Sequence, residues 1–77
     1  MELLCGLTKR SESALRLNGV WALMNMAYNA EQSVKMQILS TLGTEQILKL
    51  LTDRDVSVVI KTLGLLRNIL ANKPVIP

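Results

Sequence analysis

Apolar positions along the chain recur at helical spacing from end to end. Leu17, Trp21, Met24 and Tyr28 follow one another at steps of four, three and four, and Val20, Leu23 and Ala27 form a second stripe beside them. Two stripes on one helix predict that it is packed on both flanks. Upstream, Met1 to Leu7 reads as a short first helix. Downstream, Val34, Ile38 and Leu42, with Met36 and Leu39 alongside, predict a third. Ile47, Leu48, Leu50 and Leu51 predict the apolar face of a fourth, and a fifth runs from Asp55 to about Ala71. Polar punctuation divides them. Thr8 to Ser11 reads as a turn, with Ser11 or Ser13 as the N-cap of the second helix. Asn29 is expected to cap the third helix, with Gln32 closing a capping box. Gly43 ends that helix in a left-handed conformation, and Thr44 caps the next, with Glu45 set against its positive end. Asp53-Arg54-Asp55 turns the chain, Asp55 caps the fifth helix, and Asn72 and Pro74 stop it.

The pattern also repeats. Val20-Trp21-Ala22-Leu23-Met24-Asn25-Met26-Ala27 returns as Leu63-Gly64-Leu65-Leu66-Arg67-Asn68-Ile69-Leu70, so that Asn25 and Asn68 stand 43 residues apart. Leu-rich stretches ending in Thr precede both copies, Leu3 to Thr8 and Ile47 to Thr52. An all-helical period of roughly 40–47 residues marks armadillo and HEAT solenoids, whose units stack because none buries its apolar face alone. The expected fold is therefore all-α, a fragment of an armadillo-type right-handed α-solenoid with about five helices. Residues 1–29 supply the last two helices of one repeat and 30–77 one full three-helix repeat. The outer helices would expose apolar flanks, which predicts a piece of a longer solenoid or a chain that self-associates.

Composition supports helix packing and narrows the chemistry. Hydrophobic residues make up 49% of the 77 positions but aromatics only 3%, with no Phe, so the core is built from Leu, Ile, Val, Met and Ala. Met24, Met26 and Met36 are expected as core filler, and Gly19 and Gly64 as points of close helix approach. With 19% charged residues and a net charge of +3, disorder is not expected. The nine Lys and Arg form no cluster, which disfavours nucleic acid; only Lys9, Arg10, Arg16 and Arg54 are placed to approach one another at repeat edges. The longest uncharged run, Leu17 to Ala30, has 14 residues, short of the ~20 needed for a membrane span, and there is no basic n-region of a secretory signal. Cys5 lies among Leu3, Leu4 and Leu7, which makes it a buried hydrophobe; a lone cysteine fits a reducing compartment. There is no His, the six carboxylates fall on different turns, and the four Gly are isolated. No nucleophile–base pair, metal-ligand spacing or phosphate loop can be assembled, so neither catalysis nor a cofactor or metal is expected.

Particular motifs carry a family resemblance over the whole chain. Trp21-Ala22-Leu23-Met24-Asn25 is similar to the Trp-x-x-x-Asn signature on the inner helix of importin-α-type armadillo repeats, and Leu50-Leu51-Thr52-Asp53 resembles the "LL-S-x-D" helix end of the family. Leu17 to Ala27, Lys61 to Asn68 and Thr44-Glu45-Gln46 look closest to armadillo scaffold subunits of CTLH (GID-type) ubiquitin ligases. The resemblance implies a non-catalytic protein-interaction scaffold, cytoplasmic and nuclear, that holds another ligase subunit or an extended peptide on its concave face. A structural or capping solenoid fragment and an importin-α-like peptide binder are the alternatives.

Helical geometry places the candidate site. At 100° per residue, Asn18, Ala22, Asn25 and Asn29 share a narrow strip of the second helix, with Trp21 at its margin. The positions 43 residues on are Lys61, Leu65, Asn68 and Asn72, with Gly64 in place of the Trp. The partner-binding set is thus Asn18, Trp21, Asn25, Lys61, Asn68 and Asn72: amides for a peptide backbone, an indole face for an aliphatic stem or cation, and a charge for an acidic residue. Equally, Asn25 and Asn68 can tie neighbouring helices together through their carbonyls, and Trp21 can be core. Because Gly64 interrupts the Trp ladder, the groove is expected to be uneven.

Overall fold

In a computed structural model, which describes residues 1–71, the chain forms five helices. They are α1 (Glu2–Leu7), α2 (Ser13–Ala27), α3 (Gln32–Leu42), α4 (Thr44–Leu51) and α5 (Val56–Leu70). The expected stop at Asn72 and Pro74 lies outside the described residues. The molecule is elongated, 46 × 22 × 18 Å, as a stack of helical layers should be. The two long helices, α2 and α5, pack most extensively against each other; α1 lies along α2, and α4 along α5. The fold is all-α and of solenoid type.

Some helix boundaries follow the sequence and others do not. Asp55 caps α5, its Oδ1 accepting from the Ser57 N–H at 2.9 Å. Gly43 closes α3 at φ +80°, a conformation open to glycine, and its N–H donates to the Leu39 carbonyl. The remaining capping expectations are corrected. Neither Ser11 nor Ser13 caps α2: Glu12 holds that position and the Ser11 hydroxyl donates to the Glu12 carboxylate. This bond, foremost, holds the Glu12 carboxyl below its usual range. Asn29 does not cap α3, whose N-cap is Glu31. Asn29 instead turns the chain at φ +53°, a left-handed conformation that Asn tolerates better than other side chains. Thr44 is the first residue of α4 rather than its cap.

The core is one continuous cluster. Val20, Leu23 and Ala27 of α2 are fully buried, with Ile38 and Leu42 of α3, Leu50 of α4, and Val58, Leu65 and Ile69 of α5. Of the two stripes on α2, this one is core; in the other, Leu17 and Met24 are half-buried and Trp21 and Tyr28 exposed. Met24 packs on the core as expected, but Met26 and Met36 are exposed and do not fill it. Cys5 is buried, and burial pushes its thiol up from its ordinary value, so it remains protonated at neutral pH. Gly19 permits the approach of α1: a Cβ there would lie 2.9 Å from the Leu4 carbonyl oxygen and 2.9 Å from the Leu7 Cβ.

Polar links fasten the two halves of the chain together. Arg16 on α2 donates to both Asp53 carboxylate oxygens, from Nε at 2.7 Å and Nη2 at 2.9 Å. Its Nη1 donates to the Arg10 and Ser11 carbonyls, so one guanidinium fixes the loops at both ends of the join. Asp53 Oδ1 also accepts from the Asp55 N–H, which connects the fork to the α5 cap. Gln46 Nε2 donates to the Thr8 carbonyl at 3.1 Å, and the buried Thr8 hydroxyl donates back to the Cys5 carbonyl. Lys35, a buried lysine of α3, donates from Nζ to the Ala71 carbonyl at 2.6 Å. That places its charge at the negative end of α5, where the helix dipole favours a cation.

Candidate protein-binding groove

Two of the residues expected from sequence come together where α2 and α5 lie side by side. Trp21 projects from α2 and Lys61 from α5, and the Lys61 ammonium sits 4.4 Å from the centroid of the indole ring. A cation over the electron-rich face of Trp is attracted by the ring quadrupole. Trp21 nevertheless stays 46% exposed, so it is a surface platform and not part of the core. Asn18 and Asn25 are exposed on the same helix. The two residues that sequence placed at adjacent repeats, one aromatic and one basic, thus touch.

Asn68 has a defined structural bond. Its Nδ2 donates to the Met24 carbonyl at 2.9 Å, which ties α5 to the backbone of α2. Asn25 is exposed, and Asn72 lies outside the described residues. Leu65, placed on the strip by its register, is fully buried instead. The strip on α5 is narrower than on α2, because α5 turns its Val58, Thr62, Leu65 and Ile69 face into the core.

Gly64 opens the groove beyond Trp21. The Met24 Sδ lies 2.7 Å from where a Gly64 Cβ would stand, so the methionine occupies the space that a side chain would need. Met24, Gly64, Ile60, Leu63, Lys61 and Arg67 line a shallow cleft there. Arg67 was not among the expected site residues; the signal for it was its place beside Asn68 in the second copy of the repeat, where Met24 stands in the first. Neither Lys61 nor Arg67 has a carboxylate partner among the described residues. The cleft therefore offers two cations around an apolar floor, next to an indole and two exposed amides. Such a surface can hold an extended segment that carries acidic groups.

The basic residues at the edges of the join form a different surface. Arg16 is committed to Asp53, and Lys9 shares a groove with Glu45, Lys49 and Asp53, so charge there is mixed. Among the described residues no group of His, Cys, Asp or Glu is arranged to hold a metal ion, and no helix is long and apolar enough to cross a membrane.

Comparison with known proteins places the chain in a family. Residues 4–76 match the model of the VID28/GID5 C-terminal domain. The chain is 60% identical over 74 residues to armadillo repeat-containing protein 8 of Danio rerio, and 60% identical to that of Mus musculus, in each case over 96% of its own length. To the Xenopus laevis protein of the same name it is 58% identical over 74 residues. It spans only 11% of the length of the zebrafish and mouse proteins. The match to that family model, over residues 4–76, together with such identity over 96% of the chain and an all-α solenoid fold, shows that the chain belongs to the VID28/GID5 C-terminal domain family.

Proposed function

We propose that the chain is a non-catalytic protein-binding segment of an armadillo scaffold in a CTLH/GID-type ubiquitin ligase, cytoplasmic and nuclear. In this reading it holds a partner subunit or extended peptide in the α2–α5 groove. The observation that carries the groove is the Trp21–Lys61 pair: an indole held in place by a cation from the next helix, yet still half open to solvent. An aromatic platform with a fixed orientation loses little entropy when a ligand lies against it. Asn18 and Asn25 flank it with free amides, and Asn68 keeps its carbonyl oxygen while its N–H holds Met24. A purely structural role for the asparagines draws its support from that same Asn68 bond.

The test is a pull-down from cells with the chain and with its Trp21→Ala variant, read by mass spectrometry beside thermal melts of both. Recovery of ligase subunits by the wild type, lost in Trp21→Ala at unchanged stability, is the expected result. Equal recovery by both would remove the groove from the binding site. Absence of ligase subunits from the wild-type sample would remove the ligase assignment.

A further inference from the structure

Between the α1–α2 loop and the α4–α5 loop lies a recess of about 380 Å³, lined by Ser11, Ser13, Arg16, Arg54 and Asp55. It sits at the starts of α2 and α5, about 12 Å along α2 from Trp21, and shares no residue with the groove. The two long helices begin differently there. Glu12 and Asp55 are their N-caps, 43 residues apart. Asp55 accepts from the Ser57 N–H, whereas the Glu12 carboxylate is taken up by the Ser11 hydroxyl and caps no N–H of α2.

Two side chains of the recess are left unused by the fold. Ser13 is half-buried, and its hydroxyl bonds to no other group among the described residues. Arg54 is exposed and has neither a hydrogen bond nor an ion pair among them, in contrast to Arg16, which is held by Asp53.

The residues before Ser13 make it a substrate for a particular kind of enzyme. Arg10 stands three positions ahead, and residues 9–12 are all exposed. Serine kinases with acidic side chains along the peptide cleft select a basic residue at that spacing. Entry into such a cleft requires only that the first turn of α2 fray, and helix ends open at little cost. Ser11 and Ser57 compare poorly. Three positions ahead of Ser11 is the fully buried Thr8, and its hydroxyl is already held by Glu12. Ser57 has Arg54 at the right spacing, but its N–H is held by the Asp55 carboxylate, which would repel a phosphate.

We infer that Ser13 is a phosphorylation site whose phosphate is received by Arg54 of the other helical layer. The Ser13 oxygen attacks the γ-phosphorus of ATP and the bond from that phosphorus to the β–γ bridging oxygen breaks. ADP leaves, and the hydroxyl proton passes to the kinase's base. The product carries about two negative charges at neutral pH. Around it, Arg10 and Arg54 offset Glu12 and Asp55, and Arg16 and Asp53 neutralise each other. The positive end of α2 then tips the balance toward the anion. A phosphate–guanidinium pair from Ser13 to Arg54 adds a second ionic link beside the Arg16–Asp53 fork and draws the two copies together.

Two experiments test the site and the link separately. The chain is incubated with ATP and an arginine-directed serine kinase, and the phosphate is located by tandem mass spectrometry. It is expected on Ser13, and is expected to be lost in both Ser13→Ala and Arg10→Ala. Phosphate on Ser11 or Ser57 instead, or none at all, would overturn the site. For the link, the chain is assembled from synthetic peptides with phosphoserine at position 13, so that no kinase is needed. Its Tm at low salt is expected to lie about 3–8 °C above that of the unmodified chain, and the difference to shrink in high salt. The same pair of chains carrying Arg54→Ala is expected to show no such difference. A phosphoserine chain that melts at or below the unmodified one, or a rise that survives Arg54→Ala, would overturn the link.

Discussion

Replacing Gly19 by Ala sets two effects of opposite sign against each other. In a helix interior, Ala is favoured over Gly by about 0.5–1 kcal/mol, because glycine loses more backbone freedom on folding. At Gly19, however, the new methyl would sit 2.9 Å from the Leu4 carbonyl oxygen and 3.1 Å from the Thr8 nitrogen, both backbone atoms of the α1 segment. Backbone cannot swing aside as a side chain can, so α1 must shift as a unit and loosen Cys5 and Thr8 in the core. Overpacking of this kind costs about 1–3 kcal/mol, which outweighs the gain in propensity. Gly6 supplies the control, since a Cβ there meets nothing within 4 Å and Gly6→Ala keeps the gain alone. The difference between the two variants then isolates the steric cost. In a domain of this size each kcal/mol moves Tm by roughly 4–8 °C, so the two melting curves should separate by about 5–20 °C, with Gly19→Ala the lower. Gly64→Ala should fall between them, because its obstacle is the Met24 sulfur, part of a flexible side chain. Melts followed by circular dichroism measure all three. Equal upward shifts for Gly6→Ala and Gly19→Ala would show that α1 is not pressed against α2.

Three further outcomes follow from the polar links and the core. Asn68→Ala removes the donor to the Met24 carbonyl and should cost about 0.5–1.5 kcal/mol in urea unfolding, whereas Asn25→Ala at an exposed position should stay within about 0.5 kcal/mol of wild type. Asp53 is held below the ordinary carboxylate range chiefly by its hydrogen bonds from Arg16. Its contribution is therefore complete above the unfolded carboxylate pKa of ~3.9 and fades as pH falls through the lower folded value. Asp53→Asn should be less stable at neutral pH and lose less stability than wild type as urea melts are carried from pH 4 downward. The Cys5 thiol should resist an aromatic disulfide reagent in the native protein and react in full once unfolded; rapid labelling under native conditions would contradict its burial.

What the sequence disclosed depended on whether a residue's role was local. The five helices, the Asp55 cap and the Gly43 exit depend on period and on a few neighbouring atoms, and these were legible. The family was legible too, because its motifs are contiguous. Asn29 was misplaced because two local uses compete for an Asn, capping and left-handed turning, and tertiary position decided between them. Register alone put Leu65 on the groove strip; the side from which α2 approaches α5 buries it. Met26 and Met36 look like core from composition, but their faces of α2 and α3 stay exposed among the described residues. The Arg16–Asp53 fork joins residues 37 apart in sequence, and neither residue type at either position announces the other. In the groove, Trp21 was legible from its place on the α2 strip and Lys61 from its place 43 residues after Asn18, but their contact was not, since it depends on the rotation of one helix against the next.

The Trp21–Lys61 contact also gives the protein an optical gauge of its own. Trp21 is the sole tryptophan, it belongs to the first helical copy, and the charge over its ring belongs to the second. Indole emission responds to a nearby ammonium, so its wavelength and yield register the spacing of the two copies without any attached dye. Slippage of α5 along α2 would alter the emission before helicity is lost, separating sliding of the layers from melting of the helices.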